Sequence, residues 1–326
     1  MDALISLLAE PLGHEFMRRA LLMTLLVGIA CAVFSCFLIL KGWSLMGDAV
    51  SHAVLPGLVL AHVLAIPLVI GAFFSGLFCA VAVGYLKENS RVKEDAVMGI
   101  VFSGMFGLGL IGFTKIETDV HLLHVLFGNV LGISPGDMLE ASLIAVASTL
   151  VMLAKRRDFL LHTFDPVHAR VVGLPVRVLQ FGLLILLALT IVAALKAVGI
   201  ILVIAMLIAP GAIGFLLTKS FDRMLAVAVG AAVLSCFAGV IVSYHLDTAT
   251  APLIVVLQGL LFTAALLTAK AIARRNRLAQ GMEEPPSLSA ETHSLPSEAK
   301  RSSKELSSLR MAASLHTALA TRRLAR

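Results

Sequence analysis

Charge is scarce in this sequence. Asp, Glu, Lys and Arg make up 14% of it, against about 25% in an average soluble domain. Catalytic signatures are missing too. There is no GxxxxGK[ST] loop, so the chain does not hold a nucleotide through that motif. There is no HExxH, because His14-Glu15 runs on into Phe16-Met17-Arg18. No Gly-x-Ser-x-Gly elbow is present either, and an enzyme reading has no motif to rest on. Cysteine is limited to Cys31, Cys36, Cys79 and Cys236, all inside apolar runs and none in a CxxC pair. They read as small packing residues rather than a disulfide frame or metal knuckle. A cleavable leader is not expected, because Met1 to Glu10 carries two acids and no positive n-region.

What the chain has instead is apolar length. Hydrophobic residues make up 59% and the mean hydropathy is +0.97. Runs of about 20 apolar residues match the roughly 30 Å of bilayer hydrocarbon. They fall at 18–40, 49–65, 67–86, 96–113, 137–154, 178–195, 198–217, 223–244 and 251–270. The expected fold is all-α, a polytopic membrane bundle of about nine helices. Residues 1–270 form its transmembrane domain and 271–326 a polar, disordered cytoplasmic tail. The stretch Asp119 to Ser134, with His121, His124 and Asn129, is too short to span and reads as an interfacial or re-entrant piece.

Lys and Arg cluster in alternate connections: Lys87 to Lys93, Lys155 to Arg177, Lys219 to Arg223, and after the last span. The positive-inside rule makes these cytoplasmic, which puts the C-terminus inside and the N-terminus outside. The net charge of +6 sits mostly in the tail. That leaves no basic face for nucleic acid on the membrane part, and lipid is the expected surrounding partner. The tail itself, rich in Ser, Pro, Glu and Lys, reads as solvated chain.

The chemistry-bearing residues are few. Asp48 and His52 stand four apart at the start of the second run, which on a helix places them about 40° apart on one face and about 6 Å apart along the axis. An ionisable residue inside a span costs about 2.5–3.5 kcal/mol on insertion scales, so it faces a cavity or a partner. Carboxylate plus imidazole is a donor pair for manganese, ferrous iron or zinc. One chain supplies only two such donors, and two chains facing across a two-fold axis would supply four. A helix-capping Asp beside a packed His remains open on spacing alone. His62 lies about 21 Å from Asp48 along an unbroken helix, so it cannot share that ion within one chain; it could line an access path or sit at the headgroup level. His245 and Asp247, in an external loop, could meet an incoming cation. In the loop Lys155 to Arg177, Asp165 can cap a short helix begun by Pro166 and ended by Gly173, a shape suited to a partner's groove.

The run KGWSLMGDAVSHAVLPG, Lys41 to Gly57, resembles the signature of the permeases of bacterial manganese, iron and zinc ABC importers. Similar stretches follow at Ile66 to Phe78, Lys93 to Gly109, Leu126 to Gly132, Thr163 to Val176 and Val198 to Gly211, so the resemblance covers about residues 12–270. It implies a multi-pass protein of the bacterial inner membrane that transports a divalent metal and binds no permanent cofactor. Its partners would be a second permease chain, identical or sister, a cytoplasmic ABC ATPase and an extracytoplasmic metal-binding protein. Asp48 and His52 match the family's intramembrane metal positions. Phe164, Asp165, Pro166 and Gly173 match its ATPase-coupling region, and His168 departs from its pattern. The ending His-Ala-Val-Leu-Pro-Gly is closer to the manganese/iron branch than to the zinc branch. The rival readings are an ATP-independent secondary metal carrier and an intramembrane metalloenzyme.

Overall fold

A helix satisfies all its backbone hydrogen bonds internally, which hydrocarbon demands, and the apolar runs fold accordingly. The computed structural model describes residues 13–115 and 134–279, together with Glu10 and Pro11. Among these the chain is all-α, without strands. The helices are α1 (Glu15–Lys41), α2 (Met46–Val63), α3 (Leu68–Asn89), α4 (Glu94–Lys115), α5 (Pro135–Ala154), α6 (Arg156–Phe164), α7 (Pro166–Val171), α8 (Val176–Val198), α9 (Ile200–Leu217), α10 (Phe221–Leu246) and α11 (Thr250–Ala279). All except α6 and α7 are long and apolar enough to cross a bilayer, nine among the described residues. Every expected run is found, with ends within about three residues except for the last, whose helix continues to Ala279. Of the piece at 119–134 only Ser134 is described, and its two histidines lie outside the described residues.

By its contacts the chain divides into Met1–Ala269, which holds the bundle, and Lys270–Arg326. The second unit is described only to Ala279, and the tail expected beyond it lies outside the described residues. The last helix does not stop at Lys270: its candidate membrane span runs on to Arg275.

Helix α1 is the most enclosed, packed by α5, α8, α9 and α10. It ends in a Schellman turn. Gly42 takes a left-handed φ of 76°, its N–H donates to the Ile39 carbonyl, and the Trp43 N–H donates to that of Leu38 at 2.8 Å. Only glycine adopts that φ without a Cβ penalty. The turn buries Trp43 and starts α2 four residues later.

Helix α2 is held by close backbone approaches. A Cβ on Gly57 would lie 2.1 Å from the Gly71 carbonyl oxygen of α3, and one on Gly109 of α4 would lie 2.9 Å from Pro56 N. Small residues at such crossings replace the hydrophobic driving force that lipid cannot provide. Ser75 adds a hydroxyl bond to the Ala53 carbonyl at 2.6 Å. Between α5 and α8, Lys196 bridges Asp137 at 2.8 Å and Glu140 at 3.2 Å. The outward faces of α3, α4 and α5 expose Phe74, Phe78, Ile100, Leu108, Ile111, Leu139 and Leu143, an apolar surface suited to lipid or a second membrane chain. The four cysteines are buried and free.

Candidate functional site

Asp48 sits in the first turn of α2, where the positive end of the helix dipole favours a carboxylate. His52 follows one turn later. The intervening Ala49, Val50 and Ser51 are buried, while Asp48 and His52 stay partly open, with side chains 29% and 27% exposed. The Asp48 Oδ1 and His52 Nε2 atoms are 3.3 Å apart. Metal bonds of about 2.1 Å at octahedral to tetrahedral angles separate neighbouring ligands by about 3.0–3.4 Å. The two atoms therefore converge as adjacent ligands would.

The imidazole is oriented by rings. Phe102 and Phe106 of α4 lie 5.8 and 5.2 Å from it, centroid to centroid, the second edge-on. Among the described residues, His52 Nδ1 is buried without a hydrogen-bond partner. Resident metal ligands usually fix their imidazole by a hydrogen bond from that second nitrogen; here packing does it. No group of three His, Cys, Asp or Glu side chains gathers for a metal among the described residues. One chain thus offers two donors.

The other expected residues do not join this pair. His62 is exposed in the last turn of α2, about 15 Å along the axis from His52. His245 ends α10 and Asp247 caps it with φ 49°. Both are exposed at the bundle end opposite α6, where the His245 ring meets Tyr244 edge-on and His14 Nε2 lies 3.2 Å from the Tyr244 hydroxyl.

The capped helix expected after Lys155 is present. Asp165 accepts hydrogen bonds from the Val167 and His168 amides at 3.0 and 2.8 Å, Pro166 opens α7, and Gly173 follows with φ 87°. Phe164, Val167 and Val171 stand out from the surface. What the sequence reading passed over is α6, which precedes it. Phe159 and His162, three residues apart on one face of α6, are buried against α1. Their i, i+3 spacing inside KRRDFLLHTF was the available signal. The ring pair Phe102 and Phe106 was passed over as well, though their i, i+4 spacing marks one helix face.

The sequence comparison decides the family. The model of the ABC 3 transport family matches residues 13–269. The chain belongs to that family. It is similar to the chelated iron transport system membrane protein YfeD of Yersinia pestis, 61% identical over 267 residues, covering 82% of this chain and 90% of that protein. It also resembles the manganese transport system membrane protein MntB of Synechocystis, 53% identical, covering 80% and 86% of the two chains. Among solved structures, PsaBC from Streptococcus pneumoniae in complex with Fab matches with a TM-score of 0.72 at 33% identity, over 80% of this chain and 95% of that one. The protein is a multi-pass inner-membrane permease of an ABC transport system, and its role in transport is non-catalytic. The ATP-independent carrier finds no support in this membership.

Proposed function

We propose that this permease forms the membrane path of an ATP-driven importer for manganese or ferrous iron, with Asp48 and His52 as the transient ligands of the ion. The observation that carries the reading is the convergence of a carboxylate oxygen and an imidazole nitrogen one turn inside an otherwise apolar helix. A membrane-embedded charge that only stabilised the fold would need a buried partner; Asp48 is half-open and is matched by a metal-type donor. The names of its iron- and manganese-transporting relatives support those two metals ahead of zinc. The ion is cargo, and no resident metal is required.

Two donors from one chain leave most of a coordination shell unfilled. A second permease, identical or sister, facing this one would raise the total to four donors and two negative charges around one divalent ion. The end of the bundle bearing Lys41, Lys87, Arg91, Lys93, Lys155 to Arg157, Arg170 and Arg177 faces the cytoplasm by the positive-inside rule. A separate ATPase docks there against α7 through Phe164, Val167 and Val171. A metal-binding protein delivers the ion at the opposite end, where His62, His245 and Asp247 lie. ATP turnover then exposes the Asp48–His52 pair alternately to the two sides.

Reconstitution with the ATPase and binding protein in liposomes tests this directly. ATP-dependent uptake of manganese or iron that is lost in Asp48→Ala, with the complex still assembled, is the expected result. Undiminished uptake by Asp48→Ala removes the site assignment. Uptake by the permease without ATP removes the proposed mechanism.

A further inference from the structure

The coupling helix α7 is continuous in sequence with α6 and leads into α8, yet the ion pair sits on α2. Helix α8 packs on α7, α6 and α2 and is one connection across this gap; a second, through side chains, runs by way of α1. Helix α6 is fastened to α1 at two points. The Phe159 ring, 4% exposed, meets Phe37 edge-on at 6.4 Å. One turn on, His162, 2% exposed, brings Nε2 to 3.2 Å from Lys41 Nζ. Phe37 and Lys41 are themselves four residues apart, so both attachments use one face of α1. At the start of α6, Arg156 also pairs with Asp222 of α10 at 2.9 Å.

The Lys41 contact is the one aimed at the site. An ammonium has only protons to give, so Nε2 must accept and the ring must be neutral. Burial first, and the Lys41 charge second, push the His162 pKa down to about 4, which keeps it so. The same ammonium lies 4.0 Å over the Trp43 indole. Trp43 is the residue that closes the Schellman turn, and Asp48 follows it by five positions in α2. One path from α7 to Asp48 therefore runs through α6, His162, Lys41, Trp43 and the first turn of α2, beside the direct packing of α8 on α2.

Resting on the transport reading above, we infer that His162 is a coupling residue. Its contact with Lys41 carries displacement of α6 and α7 into the α1–α2 turn and so repositions Asp48 during the ATPase cycle. The alternative is a histidine that only fills space under α6. The two differ in what they control: a space-filling residue sets how much complex survives, whereas a coupling residue sets how much metal moves per ATP consumed.

The experiment measures both rates in proteoliposomes holding the complete transporter. In His162→Leu, which fits the space but accepts no proton, ATP hydrolysis should stay within about twofold of wild type and metal moved per ATP should fall at least about fivefold. His162→Gln, whose side-chain oxygen reaches roughly where Nε2 stood, should restore the ratio to within about twofold. Lys41→Met should reproduce the loss, and the double variant should lose no more than either single one. That pair keeps the test decisive if the Leu variant assembles poorly. An unchanged ratio in both His162→Leu and Lys41→Met overturns the inference, as does an equal loss in Gln and Leu. A wild-type complex that moves no metal with ATP overturns the transport reading itself, which is a different failure from a working wild type beside an indifferent Leu variant.

Discussion

His52 stands one helical turn from a carboxylate, and His162 stands against an ammonium. Both lie toward the same end of the bundle, and both have an Nδ1 without a hydrogen-bond partner among the described residues. Their Nε2 atoms meet opposite charges at nearly the same distance, 3.3 Å from Asp48 and 3.2 Å from Lys41. An acid beside an imidazole accepts its Nε2–H, and a cation that displaces that proton meets two lone-pair donors at a common place. A base beside an imidazole uses up the lone pair and closes the place. Exposure follows the same division: the His52 side chain is 27% open, while His162 is buried. On the reading proposed above, the neighbour decides whether the histidine serves as a ligand or as a fastener.

The sharpest way to break this comparison is to make the same change at both positions. His52→Gln removes an imidazole donor, and metal uptake should fall by about a hundredfold or more, since even outer partners of metal ligands are worth about 10–100-fold. His162→Gln keeps an acceptor for Lys41 and should leave uptake within about twofold. Uptake assays on the two variants at matched protein levels read this out, and equal losses would erase the distinction. A smaller effect is expected at the rings. Phe106→Leu removes the edge that aims the imidazole without removing a ligand, so metal uptake at limiting concentration should drop by about tenfold. Unaltered uptake there would mean that His52 holds its rotamer without α4.

These differences also separate what the sequence disclosed from what it hid. The nine spans were legible because hydrocarbon leaves one solution, a helix of about 20 apolar residues. Asp48 and His52 stood out for the same reason, as ionisable groups in an apolar run four apart. Asp165, Pro166 and Gly173 announced α7 through local capping rules that need no tertiary contact. Helix α6 obeys no such rule: its nine residues mix Arg156, Arg157 and Asp158 with Phe159 and His162, and read as a charged loop. Only docking on Phe37 and Lys41 makes it a buried helix. Phe102 and Phe106 were hidden in another way, since aromatic residues in an apolar span carry no signal until a partner ring is known to face them. The residues packed around the candidate site are set by neighbours distant in sequence, whereas the candidate ligands stand out against an apolar span.

Acid offers a third separation, with a sign fixed by His162. Its folded pKa of about 4 lies below the usual 6.5. An unfolded chain therefore binds this proton as pH falls through about 6.5, while the folded chain refuses it until about 4. The contribution is complete above pH 6.5 and is lost between 6.5 and 4. Chemical denaturation of the purified permease across that window should show wild type losing about 1–3 kcal/mol more than His162→Gln. Parallel curves for the two proteins would mean that His162 is not held neutral.

In this acid-stability readout, Lys41→Met should give the smallest change and the most informative one. Burial is the larger cause of the lowered pKa and the Lys41 charge the smaller. Removing the charge should therefore raise the His162 pKa part of the way from about 4 toward 6.5 without restoring it. The acid loss of stability should then end at a higher pH and be shallower than in wild type, yet still exceed that of His162→Gln. Titration of the His162 ring by NMR reads the same quantity without reference to unfolding. A full return to the ordinary imidazole range would make Lys41, rather than burial beneath α6, the cause of neutrality. His162 would then be governed by its neighbour's charge alone, and the contrast with His52 would rest on the sign of one side chain.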